Sequence, residues 1–118
     1  MEKFTVEFYT TKDGKSPVEA FIYGLESKMQ AKLIRVLEIL EEKGPTVREP
    51  YSKHLDDGIF ELRCKLGSDI TRVLYFFDKD RIIILTNGFV KKTQKTPRSE
   101  MNLAQQRRKD YLERVKHQ

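Results

Sequence analysis

The chain has 118 residues, 38% hydrophobic and with seven Phe, enough to bury a core without disulfides or a structural metal, so one domain spanning 1–118 is expected. Its 23 Lys and Arg against 18 Asp and Glu give a net charge of +5, which suits a polyanionic partner; residues 1 to 61 are close to neutral and the excess lies beyond them. One cysteine, Cys64, and two distant histidines, His54 and His117, exclude an internal disulfide and show no metal-ligand spacing, and no apolar run approaches the roughly 18 residues of a membrane helix.

The start, "KFTVEFY", has no apolar block of the signal-peptide kind, so a cytoplasmic protein without metal, cofactor or membrane partner is expected. There Phe4, Val6 and Phe8 alternate with polar residues, the period of two that marks a half-buried strand. After "TTKDGKSP", Ser16 stands before Pro17 and three residues ahead of Glu19, which predicts a capping box and a short helix with Val18, Phe21, Ile22 and Leu25 on one face. Ser27 and Gln30 repeat the capping pattern; Met29, Leu33, Val36, Leu37 and Leu40 form a long stripe, and Gly44-Pro45 stops it. The two helices are expected to form a hairpin. "PTVREPYSKHLDDG" reads as a loop, and three strands follow it, Ile59 to Lys65, Ile70 to Phe77 and Arg81 to Val90, joined as an antiparallel meander by "LGSD" and "DKD". A last helix after Pro97 carries Met101, Ala104, Tyr111, Leu112 and Val115 on a face interrupted by Gln105, Arg107, Arg108 and Lys109.

The order β-α-α-β-β-β-α gives an α+β fold: a small antiparallel or mixed sheet, a helical hairpin on one face, a C-terminal helix, and a second sheet face left partly open. In the strand after the loop, Phe60, Leu62 and Cys64 alternate with Glu61, Arg63 and Lys65, which turns Arg63 away from the core. A four-residue "LGSD" loop pairs Lys65 with Ile70 and sets Arg63 opposite Arg72. Like charges there destabilise unless something anionic sits between them, and a phosphate would answer; a one-residue slip would separate the two. In "NGFVKKTQKTPRSE" (87 to 100), Lys91, Lys92, Lys95 and Arg98 precede the first carboxylate, Glu100. Cations before a helix N-terminus oppose the macrodipole, yet with its free N–H groups they make an anion site.

Three segments in order, "KHLDDGIFELR" (53 to 63), "TRVLYFF" (71 to 77) and "GFVKKTQKTPRSEMNLAQQR" (88 to 107), carry a resemblance to the RelE/HigB-type toxins of toxin-antitoxin modules, in the HigB-like branch also seen in phage-derived proteins. The resemblance covers most of the chain. It implies a compact RelE-like fold and a ribosome-dependent mRNA interferase, acting on translated mRNA without a metal. It also implies a cognate HigA-like antitoxin with a helix-turn-helix domain, in a complex that is a dimer of heterodimers. By the same resemblance the catalytic positions are Arg63, Arg72, Lys91 and Lys92.

Cleavage of RNA through its 2′-hydroxyl needs that hydroxyl deprotonated, the charge on the pentacoordinate phosphorus stabilised and the leaving 5′-oxygen protonated. Arginine forks and mobile lysines can supply most of this. Lys53, His54, Lys95 and Thr96 join the four as neighbours, Arg98, Arg107 and Arg108 as backbone-holding cations, and Tyr75 as a ring on which a base could stack. Each residue also has a plainer reading. Arg63 and Lys65 suit a solvated strand face, Arg72 suits a structural pair with Glu61 or Asp69, Lys91-Lys92 suit a charged strand end, His54 a loop, and Tyr75, Phe76 and Phe77 a core. Glu61 is a candidate orienter of an arginine. A catalytic tyrosine near the C-terminus, seen in some relatives, has no clean match; Tyr111 reads as core, and the base stays open among Lys92, Lys91 and His54. A gyrase inhibitor of the ParE type, on the same superfold, and a non-catalytic RNA- or ribosome-binding module are the alternatives.

Overall fold

The structure, a computed structural model, describes residues 3–91 and 95–116. Strand β1 (Thr5–Phe8) leads to α1 (Pro17–Tyr23), α2 (Ser27–Lys43) and a single 3-10 turn (Gly44–Thr46); β2 (Ser52–Asp56), β3 (Ile59–Leu66), β4 (Asp69–Asp78) and β5 (Ile82–Lys91) follow, and α3 (Arg98–Lys116) closes the order. The five strands form one mixed sheet in the order β1-β5-β4-β3-β2, with β1 parallel to β5 and all other pairs antiparallel.

Alternation along β3 and β4 gives the sheet two different faces. Leu62, Cys64, Val73 and Tyr75 meet Val18, Leu33, Val36 and Leu40 of the helical hairpin, and Phe4, Val6 and Phe8 complete that layer. The approach of α1 to β5 is so close that a Cβ on Gly88 would lie 2.5 Å from the Phe21 ring, which is why glycine stands there. Glu41 of α2 accepts the Val6 amide on its carboxylate at 3.0 Å and thereby fixes where β1 joins.

The second face differs from expectation: α3 covers much of it, over Tyr9, Ile59, Leu74, Phe76, Ile84 and Phe89. The strip beside Arg63 lines an open cleft. Two capping boxes also fail to form. Ser16 makes no side-chain cap bond, and α2 is capped at Glu26, one residue before Ser27; Gln30 instead donates to the carbonyl of Ile22 at 2.8 Å and ties the two helices together. Among the described residues no helix is long and apolar enough to cross a membrane.

Candidate nucleic-acid interface

The stretch expected as a loop contains an edge strand. Residues 52–56 pair with β3 through the two-residue turn Asp57-Gly58, whose φ values of 47° and 79° are the left-handed pair that an Asp-Gly hairpin turn uses. A bulge at Leu55 breaks the pairing between His54 and Asp56. Lys53 is therefore opposite Glu61, on the same face as Arg63, while His54 is opposite Phe60 on the hairpin side, with its ring 4.9 Å from the Phe60 centroid.

Next to β2 the expected pairing is present, with Arg63 opposite Arg72 and Lys65 opposite Ile70. The anion between the arginines belongs to the protein. Glu61, fully buried, accepts from Arg63 Nε at 2.7 Å on Oε1 and has Arg72 Nη1 3.7 Å from Oε2, and the Thr96 hydroxyl donates to the same Oε2. One carboxylate thus links β3, β4 and the chain entering α3. Burying it is tolerable because two guanidinium groups and a hydroxyl replace its hydration. The like-charge clash is neutralised internally, so the pair does not wait for a phosphate.

A cleft of about 260 Å³ opens above this clamp. Lys53, Arg63, Lys95, Arg98 and Thr96 line it, with His54 at the edge, Leu55 and Met101 as apolar wall, and Asp56 as the one carboxylate among the described residues. Arg63 keeps 19% of its side chain exposed; its Nε is engaged by Glu61, and the residue lines the cleft. A second bulge sets α3. Thr86 is the extra residue of β5, and its insertion turns Asn87 toward the helix, where the amide donates to Glu100 Oε1 at 2.9 Å and fixes the first turn beside Thr96 and Arg98. This arrangement can grip an anion, and cations from three separate stretches of chain let it follow an extended one.

The family described as Phage derived protein Gp49-like matches residues 20–109, three-quarters of the chain. The chain belongs to that family. None of the curated proteins matches it. Among solved structures it is similar to a chain of the archaeal RelE-RelB complex from Pyrococcus horikoshii OT3, at 21% identity and a TM-score of 0.50, over 78% of this chain and 98% of that one. The fold of this Gp49-like protein is RelE-like: α+β, with a five-stranded mixed sheet between helices.

Of the residues singled out from sequence, Lys53, His54, Arg63, Lys95, Thr96 and Arg98 gather at the cleft of the Gp49-like chain. Lys92 lies outside the described residues, and so does the side chain of Lys91. Four others are placed elsewhere, for identifiable reasons. Arg72 is entirely buried beneath the cleft, with its Nη1 3.7 Å from the Glu61 carboxylate. Tyr75 is 1% exposed, stacked on Phe60 at 5.5 Å, with its hydroxyl 2.6 Å from Ser52 Oγ, which leaves no face for a base; burial pushes its phenol up from the ordinary value. Arg107 donates to the Thr86 carbonyl at 2.8 Å and lies over the Tyr9 ring, and Arg108 donates to the Asp57 carbonyl, so both pin α3 to the sheet instead of standing free for a backbone. Tyr111 is core, as expected, packed on Phe76 at 5.7 Å and donating to Asp78 at 2.9 Å.

The residue sequence reasoning undervalued is Glu61. Its signal was present in "FELR", an acid on the same strand face as an arginine two residues on, opposite a second arginine. β2 was missed although Asp57-Gly58 between two runs is the strongest short-range hairpin signal.

Proposed function

We propose that this chain is the toxin of a toxin-antitoxin pair, a single domain acting in the cytoplasm as a metal-independent endoribonuclease that cuts translated mRNA on the ribosome. The observation that carries the reading is the meeting of Lys53, Arg63, Lys95, Arg98 and Thr96 in one cleft over the Glu61 clamp, inside a RelE-like fold. Arg63 holds the scissile phosphate through its terminal nitrogens, and Lys53, Lys95 and Arg98 stabilise the charge that builds on phosphorus. Arg72 acts at one remove, through Glu61, as a positioning residue. Lys91, Lys92 and His54 are the candidates for moving the two protons, and the packing of the His54 ring against Phe60, on the strand face away from Arg63, favours the lysines. The archaeal RelE chain was solved with RelB. By analogy we assign this chain a cognate acidic antitoxin, HigA-like with a helix-turn-helix domain, in a dimer of heterodimers.

One observation favours a second reading, a non-catalytic RNA- or ribosome-binding module: full burial of Arg72 removes one of the expected phosphate ligands. Mapping transcript 5′ ends after induction tests both. New ends within translated frames are expected. Growth arrest with intact messages would overturn the nuclease, and DNA damage without new ends would point to gyrase.

A further inference from the structure

The outer edge of the sheet changes character at Tyr51. β2 begins its pairing at Ser52, opposite Leu62, and the Arg63 amide makes one more bond, to the Tyr51 carbonyl at 2.7 Å. From there β3 continues to Leu66 paired with β4 on one side and, among the described residues, with no strand on its outer side. A second groove, of about 380 Å³, lies where the edge opens toward α2. Val36, Cys64 and Ile70 contribute its apolar part and Tyr51, 43% exposed, its aromatic part. Lys32 and Lys65 add charge, and the Lys32 ammonium donates to the Lys65 carbonyl, holding α2 against the end of β3. Among the described residues no carboxylate lines this groove. Arg63 lines both it and the anion cleft.

We propose that this groove seats the nucleotide next to the phosphate held at Arg63, with its base against Tyr51 and its own phosphate near Lys32 and Lys65. The inference rests on the reading of the first cleft as an RNA site. Single-stranded RNA alternates an anion with a flat apolar face at every unit, and the two hollows present cations and an aromatic in that alternation around one shared arginine. An acidic protein segment would also meet Lys32 and Lys65. It would have no reason to place a ring-sized group at Tyr51 and an anion at Arg63 in one covalent run, whereas a polynucleotide must. Recognition by stacking is tolerant of sequence, so the groove sets where the chain lies more than which base it carries.

The test uses programmed ribosomes bearing a message with a 2′-deoxy nucleotide at the cut, which blocks cleavage, and 5-iodouridine immediately on one side or the other. Irradiation should crosslink one of the two positions to Tyr51. With cleavable message, Tyr51→Ala should raise KM at least about fivefold with kcat little changed, and Tyr51→Phe should restore it. Crosslinks confined to other residues, or wild-type KM in Tyr51→Ala, overturn the groove while leaving the cleft reading intact. That holds also if a protein partner is found to shield Tyr51. Wild-type protein that fails to cut programmed message overturns the parent reading first, and this one with it.

Discussion

The two faces of the sheet are built by different chemistry. Toward α1 and α2 the contacts are apolar, with Leu33, Leu40, Leu62, Val73, Ile83 and Leu85 fully buried. Toward α3 the helix buries only Ala104 completely, over the apolar patch of Ile59, Leu74, Phe76 and Ile84, and a set of polar contacts is added to that patch: Asn87 to Glu100, Arg107 to Thr86, Tyr9 to Asp110 at 2.6 Å and Tyr111 to Asp78. Apolar packing is strong but non-directional, whereas hydrogen bonds with narrow angular limits fix atoms in place. The face that must aim Arg63 and Thr96 is the one to which directional contacts are added. The face that holds the molecule together is the one assembled from methyl groups.

The sharpest way to break that contrast is at Glu61. Glu61→Ala leaves two arginines facing each other without their carboxylate and is expected to cost about 3–5 kcal/mol in urea unfolding, because an uncompensated buried charge is left behind. A variant as stable as wild type would show that the clamp holds nothing. Leu33→Ala, on the apolar face, should cost about 2–5 kcal/mol, yet cleavage per folded molecule should be unchanged. Arg63→Ala should combine both losses, lowering the melting temperature because buried Glu61 keeps one guanidinium fewer, while single-turnover cleavage per folded molecule falls about 100-fold, the usual loss for one donor to a developing charge. Arg63→Lys should stay impaired, since the charge survives but the fork and the Nε bond to Glu61 do not.

The smallest effects are expected at the α3 seam. Tyr9→Phe removes a hydrogen bond to a carboxylate and should cost roughly 1–2 kcal/mol. The same seam should respond to pH at both ends. The bond from Tyr9, joined by the Arg114 charge, holds the Asp110 carboxyl below its ordinary range. Its contribution is therefore complete above about pH 4 and is lost as pH falls through the lowered value. Burial and the bond to Asp78 push Tyr111 up to about 12, and burial raises Tyr9 as well. Their contributions are complete below about pH 10 and are lost as pH rises beyond it. Amide exchange along α3 should quicken at both extremes before the hairpin side responds, and Tyr9→Phe should flatten the acid limb. Equal quickening on both faces would erase the distinction between them.

Period and turn chemistry made most of the elements legible, because the stripes at Leu33, Val36 and Leu40 and at Leu62 and Cys64 are decided by local geometry. The Arg63-Arg72 pairing was legible for the same reason: loop length alone sets the register. What stayed hidden depends on residues far apart in sequence. The bulge at Thr86 reverses which side Asn87 and Phe89 face, and no alternation pattern announces it. The polar middle of α3 read as cations for a nucleic-acid backbone, because the carbonyls that Arg107 and Arg108 reach belong to a different strand and a distant turn. Tyr75 was ambiguous, since an aromatic between cations reads alike whether it faces RNA or a core; the Ser52 hydroxyl decides it.

The parallel pairing of β1 with β5 has a consequence for how the protein is made. Thr5 lies beside Ile82, so the first strand leaves the ribosome well before its neighbour exists, a wait of roughly 4 to 15 seconds at 5–20 residues per second. Lys95, Thr96 and Arg98 come later still, and the cleft needs all three. Translation therefore delays assembly of the basic surface until nearly all of the described chain has emerged, and every shorter nascent chain lacks the cleft.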